Sequence, residues 1–229
     1  MSKRIVIAID GPAGAGKSTI ARGLAGRLGF LFIDTGAMYR AVALWAVRTG
    51  AGLDDMHRLE QLARAADIQF QDGNSRVLLN GEDVTAEIRD PGMAEAASKV
   101  SMVPAVRRAM VDLQRRMARE NSVVMEGRDI GTVVFPEAEI KVFLDAAPAV
   151  RAERRAADLR AKGLEVAPEA LAREIAERDH RDRTRAEAPL VQAPDAIYLD
   201  STGLSIAEVQ EEILKIVRSK VSNGKEVLR

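Results

Sequence analysis

A glycine-rich segment near the start of the chain constrains its fold more than any other feature. Residues 11–18 read Gly-Pro-Ala-Gly-Ala-Gly-Lys-Ser, the pattern of a phosphate-binding P-loop. An apolar run at residues 5–9 precedes it, and helical spacing of Ile20, Leu24 and Leu28 follows it. Glycines let backbone N–H groups turn inward around a phosphate, and the helix directs the positive end of its dipole there. Together these features favour a triphosphate-binding loop over a glycine-rich turn with an incidental lysine.

The loop predicts where the phosphates of a nucleotide lie, but not what is done with them. Lys17 can reach the β- and γ-phosphates, and the Ser18 hydroxyl can ligate Mg²⁺. The residues expected to contact the triphosphate are Gly11, Pro12, Ala13, Gly14, Ala15, Gly16, Lys17, Ser18 and Thr19. A guanine-reading Asn-Lys-x-Asp motif and an ABC-type signature are both absent from the sequence. Small-molecule kinases are therefore the leading class.

Size and charge restrict the partners. The 229 residues suffice for one sizeable core with a smaller appended unit. Lysine plus arginine and aspartate plus glutamate balance at 34 each, so no overall field attracts the chain to nucleic acid or to a membrane. Aromatic residues make up only 3%, too few to stack bases along a single strand. We expect small-molecule partners, and the balanced charge without a long heptad pattern favours a monomer.

Two residue types restrict the chemistry. The chain contains no cysteine, which excludes disulfides, thiolate-bound metals and cysteine nucleophiles. His57 and His180 are far apart in sequence, which argues against a histidine-based metal cluster. The apolar run at residues 5–9 ends at Asp10, too early for a secretory signal, and no segment approaches the length of a membrane-spanning helix. We expect a cytoplasmic protein.

Short apolar runs alternate with segments of helical spacing. The runs predicted as strands are residues 5–9, 30–33, 123–125, 140–144 and 196–199. The first is continuous and rich in β-branched residues, as in a strand buried on both faces, and the others look alike. This alternation predicts an α/β fold with a parallel sheet covered by helices on both faces. Ser205 is placed to cap the start of the last helix.

Two stretches interrupt the alternation. Residues 68–89 contain short apolar runs around Asn80-Gly81, which predicts a small antiparallel insert with a hairpin turn. Residues 151–185 are dense in arginine and short of large apolar side chains, so we expect helices that lie over the surface of the core. The polar tail from about Arg218, which includes Asn223 and Gly224, is expected to fray.

Cationic and acidic residues follow the strands where open α/β sheets place their ligands. Residues 34–40 follow the second strand, and residues 126–129 follow the third. An ordinary surface ion pair or a helix cap is the alternative, and for Asp34 or Thr35 taken alone the two interpretations are equally good. A kinase needs such cations to hold an acceptor opposite the donor.

A third charged group lies in the arginine-dense stretch. On a helix, Arg178, Arg181, Asp182 and Arg185 share one face at spacings of three and four. The charge pattern alone favours a solvated, salt-bridged helix. The P-loop reverses that preference, because phosphoryl transfer requires converging cations and no other segment is as rich in them.

Four segments together resemble the bacterial cytidylate kinases, the CMP and dCMP kinases of the P-loop nucleoside monophosphate kinase family. They are residues 9–19, 34–40, 126–136 and 178–185. The similarity runs from about Ile5 to the final helix and includes residues 199–202. The resemblance implies an adenylate-kinase-like fold with a five-stranded parallel sheet, the antiparallel insert in an enlarged acceptor region, and an arginine-rich lid.

The resemblance also implies a division of the chain. The core would comprise residues 1–38, 120–154 and 186–229. The acceptor-binding region would be residues 39–119, with the β insert at about 66–90, and the lid would be residues 155–185.

The family further implies the reaction and the residues that serve it. The γ-phosphoryl group of ATP would pass to CMP or dCMP with Mg²⁺ and without a covalent intermediate. The acceptor phosphate would be contacted by Thr35, Arg40 and Arg128, and the cytosine by Ser98, Arg107 and Asp129. The sugar would be held by Asp182 and Arg185, and Tyr39 would join the substrate pocket. The transferring group would be covered by Arg178 and Arg181, with Lys17 at the donor. Arg108 is the obvious rival of Arg107.

The hydrogen-bonding groups of cytosine favour a carboxylate as their partner in the pocket. Cytosine presents an amine donor where uracil presents a carbonyl oxygen, so a carboxylate discriminates between them by about ten- to a hundredfold per contact. Two alternatives remain open. One is a kinase for another small acceptor, and the other is a nucleotide-binding switch that uses ATP for conformation without an acceptor. The arginine-dense segment argues against the switch.

Overall fold

The computed structural model describes residues 4–71, 75–161 and 163–222. Its centre is a sheet of five parallel strands. These are β1 Val6–Asp10, β2 Leu31–Asp34, β6 Val123–Gly127, β7 Ile140–Asp145 and β8 Ile197–Asp200. They lie in the order β2-β6-β1-β7-β8, so the carboxyl ends of all five meet at one edge of the sheet. All five predicted strands and the α/β class are confirmed.

Helices cover both faces of this sheet. They are α1 Lys17–Leu28, α2 Thr35–Arg48, α3 Met56–Ala65, α4 Pro91–Val100, α5 Pro104–Met117, α6 Pro148–Arg160, α7 Pro168–Thr184 and α8 Ile206–Ser222. Because successive strand side chains point to opposite faces, Ala8 packs in a cluster with Met38 of α2. Ile7 packs on the other face with Leu24 of α1 and Ile213 of α8.

The last strand differs from the expectation of a strand buried on both faces. Ile197 and Tyr198 in β8 are 39% and 52% exposed. The reason is sheet order, since β8 pairs only with β7 and forms an edge of the sheet. An apolar run alone does not reveal whether its strand is central or at an edge.

The predicted antiparallel insert is confirmed as a three-stranded sheet. Strands β3 Ile68–Gln71, β4 Arg76–Leu79 and β5 Glu82–Asp83 lie in that order. Asn80 and Gly81 connect β4 to β5 with φ angles of 52° and 84°. Two positive φ angles in a two-residue loop define a type I′ turn, which matches the twist of the flanking strands.

The arginine-dense stretch is helical, as predicted, and forms α6 and α7. Its apolar contacts stand apart from the two large clusters on the sheet. Ala156, Leu159 and Leu171 form one small cluster between the two helices. Ala152 and Ile175 form another with Ala13 of the P-loop. The two helices therefore pack on each other and on the donor loop more than on the core.

The final helix begins with the predicted cap. The Glu208 N–H donates to Ser205 Oγ at 3.3 Å, and the Ser205 N–H donates to the Glu208 carboxylate at 2.8 Å. This reciprocal pair is a capping box. The helix continues to Ser222, past Arg218, where fraying was expected to begin; Asn223 and Gly224 lie outside the described residues. Within the ranges that the structure covers, no helix is both long enough and apolar enough to cross a membrane.

Candidate active site

A cavity of about 600 Å³ opens where the parallel strands end. It collects most of the predicted site residues. Those that line it are Ala13, Gly14, Ala15, Gly16, Lys17, Ser18, Thr19, Thr35, Tyr39, Arg40, Ser98, Arg107, Arg128, Asp129, Arg178, Asp182 and Arg185. Gly11, Pro12 and Arg181 lie outside its lining. Residues from distant parts of the chain thus meet in one space.

Gly11 lies directly against the backbone of β7, outside the cavity. A Cβ atom at this position would lie 2.0 Å from the carbonyl oxygen of Leu144 in β7, so a larger residue does not fit there. Gly16 precedes α1 with a φ of 90°, a left-handed conformation that glycine adopts without strain. These glycines let the loop turn directly from β1 into α1, so that the first N–H groups of the helix point into the cavity.

Lys17 lies at the base of the cavity and is 5% exposed. Its Nζ donates to the carbonyl oxygen of Pro12 at 2.7 Å, so Pro12 contacts Lys17 although it does not line the cavity. Burial, and then the Arg128 guanidinium, lower the pKa of Lys17 to about 7. The ammonium is therefore poorly compensated by its surroundings and is suited to bind an anion.

Oxygen ligands gather beside the first turn of α1. The Ser18 hydroxyl donates to the Glu126 carboxylate at 2.7 Å. Burial, and then the neighbouring Asp34, raise the pKa of Glu126. Hard oxygen donors of this kind suit Mg²⁺. No group of three or more histidine, aspartate or glutamate side chains in the described part of the chain is arranged to hold a metal, so an ion here would need phosphate oxygens as further ligands.

Asp34 caps helix α2, which was the alternative to a ligand contact for this residue. Its carboxylate accepts from the Ala37 N–H at 2.8 Å and pairs with Arg40 at 3.1 Å. Burial acts to raise the pKa of Asp34, but Arg40 and the Ala37 N–H outweigh it and lower that pKa. Asp34 thereby holds Arg40 at the cavity wall, where the guanidinium Nε is buried without a hydrogen-bond partner among the described residues.

A network of buried charges links the end of β6 to α7. Arg128 Nε donates to Asp182 at 2.8 Å. Arg185 lies 3.7 Å from Asp182 and 3.6 Å from Asp129. Asp129 completes the network by accepting from Arg107 Nη2 at 2.5 Å. Three guanidinium groups and two carboxylates thus form one continuous wall of the cavity.

The structure distinguishes the two candidate arginines of α5. Arg107 is 3% exposed, lines the cavity and lies over the Tyr39 ring at 5.6 Å. The Arg108 side chain is 60% exposed and pairs with Glu187. Ser98 lies on the same wall as Arg107, and its buried Oγ has no hydrogen-bond partner within the described residues.

The single helix face predicted for the α7 cluster holds for three of its four residues. Arg178, Asp182 and Arg185 line the main cavity. Arg181 lines a second cavity of about 250 Å³ between α4 and α7, which Arg178 also borders. The reason is helix geometry, because adjacent residues such as Arg181 and Asp182 point about 100° apart. Burial, and then Arg128, lower the pKa of Arg178 to about 10.

Sequence reasoning missed several residues that shape the site. The Asp10 carboxylate accepts from the N–H groups of Ile130 and Gly131 at 2.8 and 2.7 Å, and burial raises its pKa to about 6 although these hydrogen bonds lower it. It thereby fixes the turn that follows Asp129. A charged residue at the end of a buried strand was the available signal. Glu126, near the end of β6, belongs to the segment 126–129 that the sequence did single out, but the sequence assigned it no role of its own.

Further missed residues line the cavity on the α8 side of the P-loop. Arg154 Nη2 donates to the Ser201 carbonyl oxygen at 2.7 Å and Nη1 donates to Ser201 Oγ at 3.0 Å. Leu204 and Ile206 add apolar surface next to them. Arg154 lies in the arginine-dense stretch, but no spacing distinguished it from the other arginines there. Ser201 belongs to the segment 199–202 that contributed to the resemblance.

Comparison with known proteins identifies the family. A family model described as cytidylate kinase matches residues 7–219. The chain is 63% identical to the cytidylate kinase of Solibacter usitatus (strain Ellin6076), over 98% of this chain and 97% of that protein. It is 53% identical to the cytidylate kinase of Pelotomaculum thermopropionicum, over 96% of each. An uncharacterized protein from Eubacterium ventriosum has a similar fold, with a TM-score of 0.53, 14% identity and coverage of 94% of this chain and 99% of that one. The chain therefore belongs to the cytidylate kinase family.

Proposed function

We propose that this chain transfers the γ-phosphoryl group of ATP to CMP or dCMP, giving ADP and CDP or dCDP. Membership of the cytidylate kinase family supports the enzyme class. The observation that carries the proposal is one continuous cavity with Lys17 at one end and the Arg107–Asp129 pair at the other. A donor phosphate site and a polar, buried base site thus share one space.

The donor triphosphate is assigned to the P-loop. Backbone N–H groups at the start of α1 would cradle the phosphates, and the Lys17 ammonium would neutralise their charge. The apolar surface of Leu204 and Ile206 beside the loop suits the nucleoside of the donor. Mg²⁺ would be held by the Ser18 hydroxyl and the phosphates, with Glu126 close by, and would neutralise the charge that develops on them.

The acceptor is assigned to the opposite half of the cavity. Thr35, Arg40 and Arg128 would bind its phosphate, since they lie where β2 and β6 end. Thr35 is fixed there because its Oγ1 donates to the carbonyl oxygen of Glu126 at 2.8 Å. Asp182 and Arg185 would hold the sugar.

The cytosine is assigned to Ser98, Arg107 and Asp129. Ser98 Oγ, which has no hydrogen-bond partner in the ranges that the structure covers, would bond to the base. The Asp129 carboxylate, oriented by Arg107, would accept from the exocyclic amine. Uracil would place a carbonyl oxygen against that carboxylate. A buried polar group without a partner costs about 1–3 kcal/mol, so cytosine is favoured.

Catalysis would then consist of positioning and charge neutralisation. A phosphate oxygen of CMP is already an anion near neutral pH, so the attack on the γ-phosphorus needs no general base. Lys17, Arg40, Arg128 and Arg178 would stabilise the charge that spreads over the transferring group. Residues 155–185 would act as a lid that excludes water and prevents hydrolysis of ATP, and residues 39–119 as the acceptor-binding region. The role of Arg181 stays a prediction, as do the monomeric state and the cytoplasmic location.

A coupled assay of ADP formation with CMP, dCMP, UMP and AMP tests the proposal. We expect CMP and dCMP to be used well, UMP poorly and AMP hardly at all. A clear preference for AMP would contradict the base assignment and favour another small acceptor. Slow hydrolysis that no nucleoside monophosphate changes would instead indicate a nucleotide-binding switch.

A further inference from the structure

Ala13 in the P-loop is held on every side by the two helices of the arginine-rich segment. Its N–H donates to the Asp179 carboxylate of α7 at 3.0 Å. Its carbonyl oxygen accepts from Arg151 Nη1 of α6 at 2.9 Å. Its methyl group packs with Ala152 of α6 and Ile175 of α7. The peptide groups and the side chain of Ala13 are thus set by α6 and α7, not by the sheet from which the loop emerges.

Arg151 and Asp179 form a buried ion pair around this residue. Their side chains are 5% and 3% exposed, and Arg151 Nη1 lies 2.5 Å from Asp179 Oδ2. Arg151 Nε donates in addition to the carbonyl oxygen of Ala146 at 3.0 Å. The hydrogen bonds of the two side chains therefore go to each other and to backbone groups of Ala13 and Ala146. Neither residue lines the main cavity, so neither is placed to touch a nucleotide.

The next residue of the loop is confined by the same helix. Gly14 has a φ of 76°, and a Cβ atom there would lie 3.0 Å from the carbonyl oxygen of Arg151 and 3.1 Å from its Cβ. The loop therefore passes against the backbone of α6 immediately before its N–H groups reach the cavity. Asp179 directly follows Arg178, which lines that cavity from α7.

We propose that Arg151 and Asp179 are positioning residues for phosphoryl transfer. By fixing the Ala13 peptide, they fix the position of the donor loop relative to Arg178. The inference rests on the proposed function, since it assigns the donor phosphates to this loop. Loss of the pair would let the loop and α7 shift relative to each other. A misplacement of about 1 Å at a reacting group can lower the rate about a hundredfold.

Asp179→Asn and Arg151→Lys test the inference. We expect each to lower kcat/KM for ATP by about 10- to 100-fold, through a lower kcat and a higher KM for ATP. The affinity for CMP, measured by calorimetry without ATP, should change less than about threefold. The reason is that the side chains of Arg151 and Asp179 bond to Ala13, Ala146 and each other, and not to the residues assigned to CMP.

A matched control is the ion pair between Arg27 of α1 and Glu211 of α8, which is exposed and lies away from the loop. Glu211→Gln removes one partner of that pair and should change neither kcat nor either KM by more than about twofold. If Asp179→Asn and Arg151→Lys lower the melting temperature but retain wild-type kinetic constants below it, the pair is only structural and the inference is wrong.

Two further measurements apply if a single variant does not fold. The double variant Arg151→Gln, Asp179→Asn leaves no unpaired buried charge, and it should bind CMP but lose at least about tenfold in kcat/KM for ATP. In the wild-type protein, the Ala13 amide should exchange with solvent as slowly as the amides of α7 that surround Ile175. Exchange of Ala13 at the rate of an exposed loop amide would overturn the inference.

Failure of this inference and failure of the proposed function give different results. Wild-type protein that forms no ADP in response to CMP would contradict the proposed function. Active wild-type protein, with variants whose ATP constants are unchanged, would contradict only the assignment of Arg151 and Asp179.

Discussion

Arg107 and Asp129 form a buried ion pair at the wall of the cavity, with 2.5 Å between Arg107 Nη2 and Asp129 Oδ2. The two residues come from different elements, since Arg107 lies on α5 and Asp129 follows β6. The pair orients one oxygen of the carboxylate, while the other lies 3.6 Å from Arg185. The base assignment therefore depends on these residues as a unit.

Replacing Asp129 tests how the base is recognised. We expect Asp129→Asn to lower kcat/KM with CMP by about 10- to 100-fold and with UMP by less, because the amide no longer presents only acceptors to the base. The ratio of kcat/KM for CMP to that for UMP is the measurement. Arg108→Gln, on the exposed neighbour of Arg107, is the matched control and should leave the ratio unchanged. An unaltered ratio in Asp129→Asn would contradict the base assignment.

The pH dependence of ATP use tests Lys17. Its pKa is lowered to about 7, mainly by burial. In the free enzyme the Lys17 ammonium therefore loses its proton and its charge as the pH rises above 7. Since kcat/KM reports the free enzyme, kcat/KM for ATP should fall above pH 7. The kcat profile should stay level to higher pH, because bound phosphates raise the pKa of the amine.

Two variants complete the Lys17 test. Lys17→Arg stays charged at all these pH values and should lose the alkaline fall, at a lower overall rate. Lys17→Ala should abolish turnover. A wild-type kcat/KM that is flat from pH 7 to about pH 9 would be inconsistent with the buried, poorly compensated ammonium.

Asp182→Ala should impair use of the acceptor far more than binding of the donor. The substitution removes the partner of Arg128 and one of the groups assigned to the sugar. We expect the KM for CMP to rise at least about tenfold, while the dissociation constant of ATP changes less than about threefold. Steady-state kinetics and calorimetry separate the two. A full-rate enzyme with an unchanged KM for CMP would exclude the sugar-contact role.

Gly81→Ala tests the hairpin turn without touching the cavity. Gly81 has a φ of 84°, and a Cβ atom there would meet nothing within 4 Å, so the cost is backbone strain alone. That cost is about 1–2 kcal/mol, which lowers the melting temperature by about 2–4 °C per kcal/mol in a chain of this size. Kinetic constants should not change. Gly26→Ala, in the interior of α1 and likewise unobstructed, is the control and should raise stability.

Local patterns in the sequence predict the local parts of this fold. The P-loop and the type I′ turn at Asn80-Gly81 each depend on a few adjacent residues, so the sequence alone is enough to predict both. The exposure of β8 depends on the order of strands in the sheet, which no single segment encodes.

Long-range contacts account for what could not be predicted. Ala13 is separated by 138 residues from Arg151 and by 166 from Asp179, and no sequence spacing connects them. Ser98 and Arg107 became candidates only through the family resemblance, because a serine and an arginine on ordinary helices carry no signal of their own. Their position at one cavity wall depends on how α4 and α5 pack against the end of β6.

Transfer of a label from ATP tests the central claim most directly. The purified chain is incubated with Mg²⁺, CMP and ATP labelled at the γ-phosphate, and the products are separated. We predict that the label appears in CDP in equal amount to the ADP formed, with little inorganic phosphate, and that no ADP forms without CMP. Label found in inorganic phosphate at a rate independent of CMP would contradict the account.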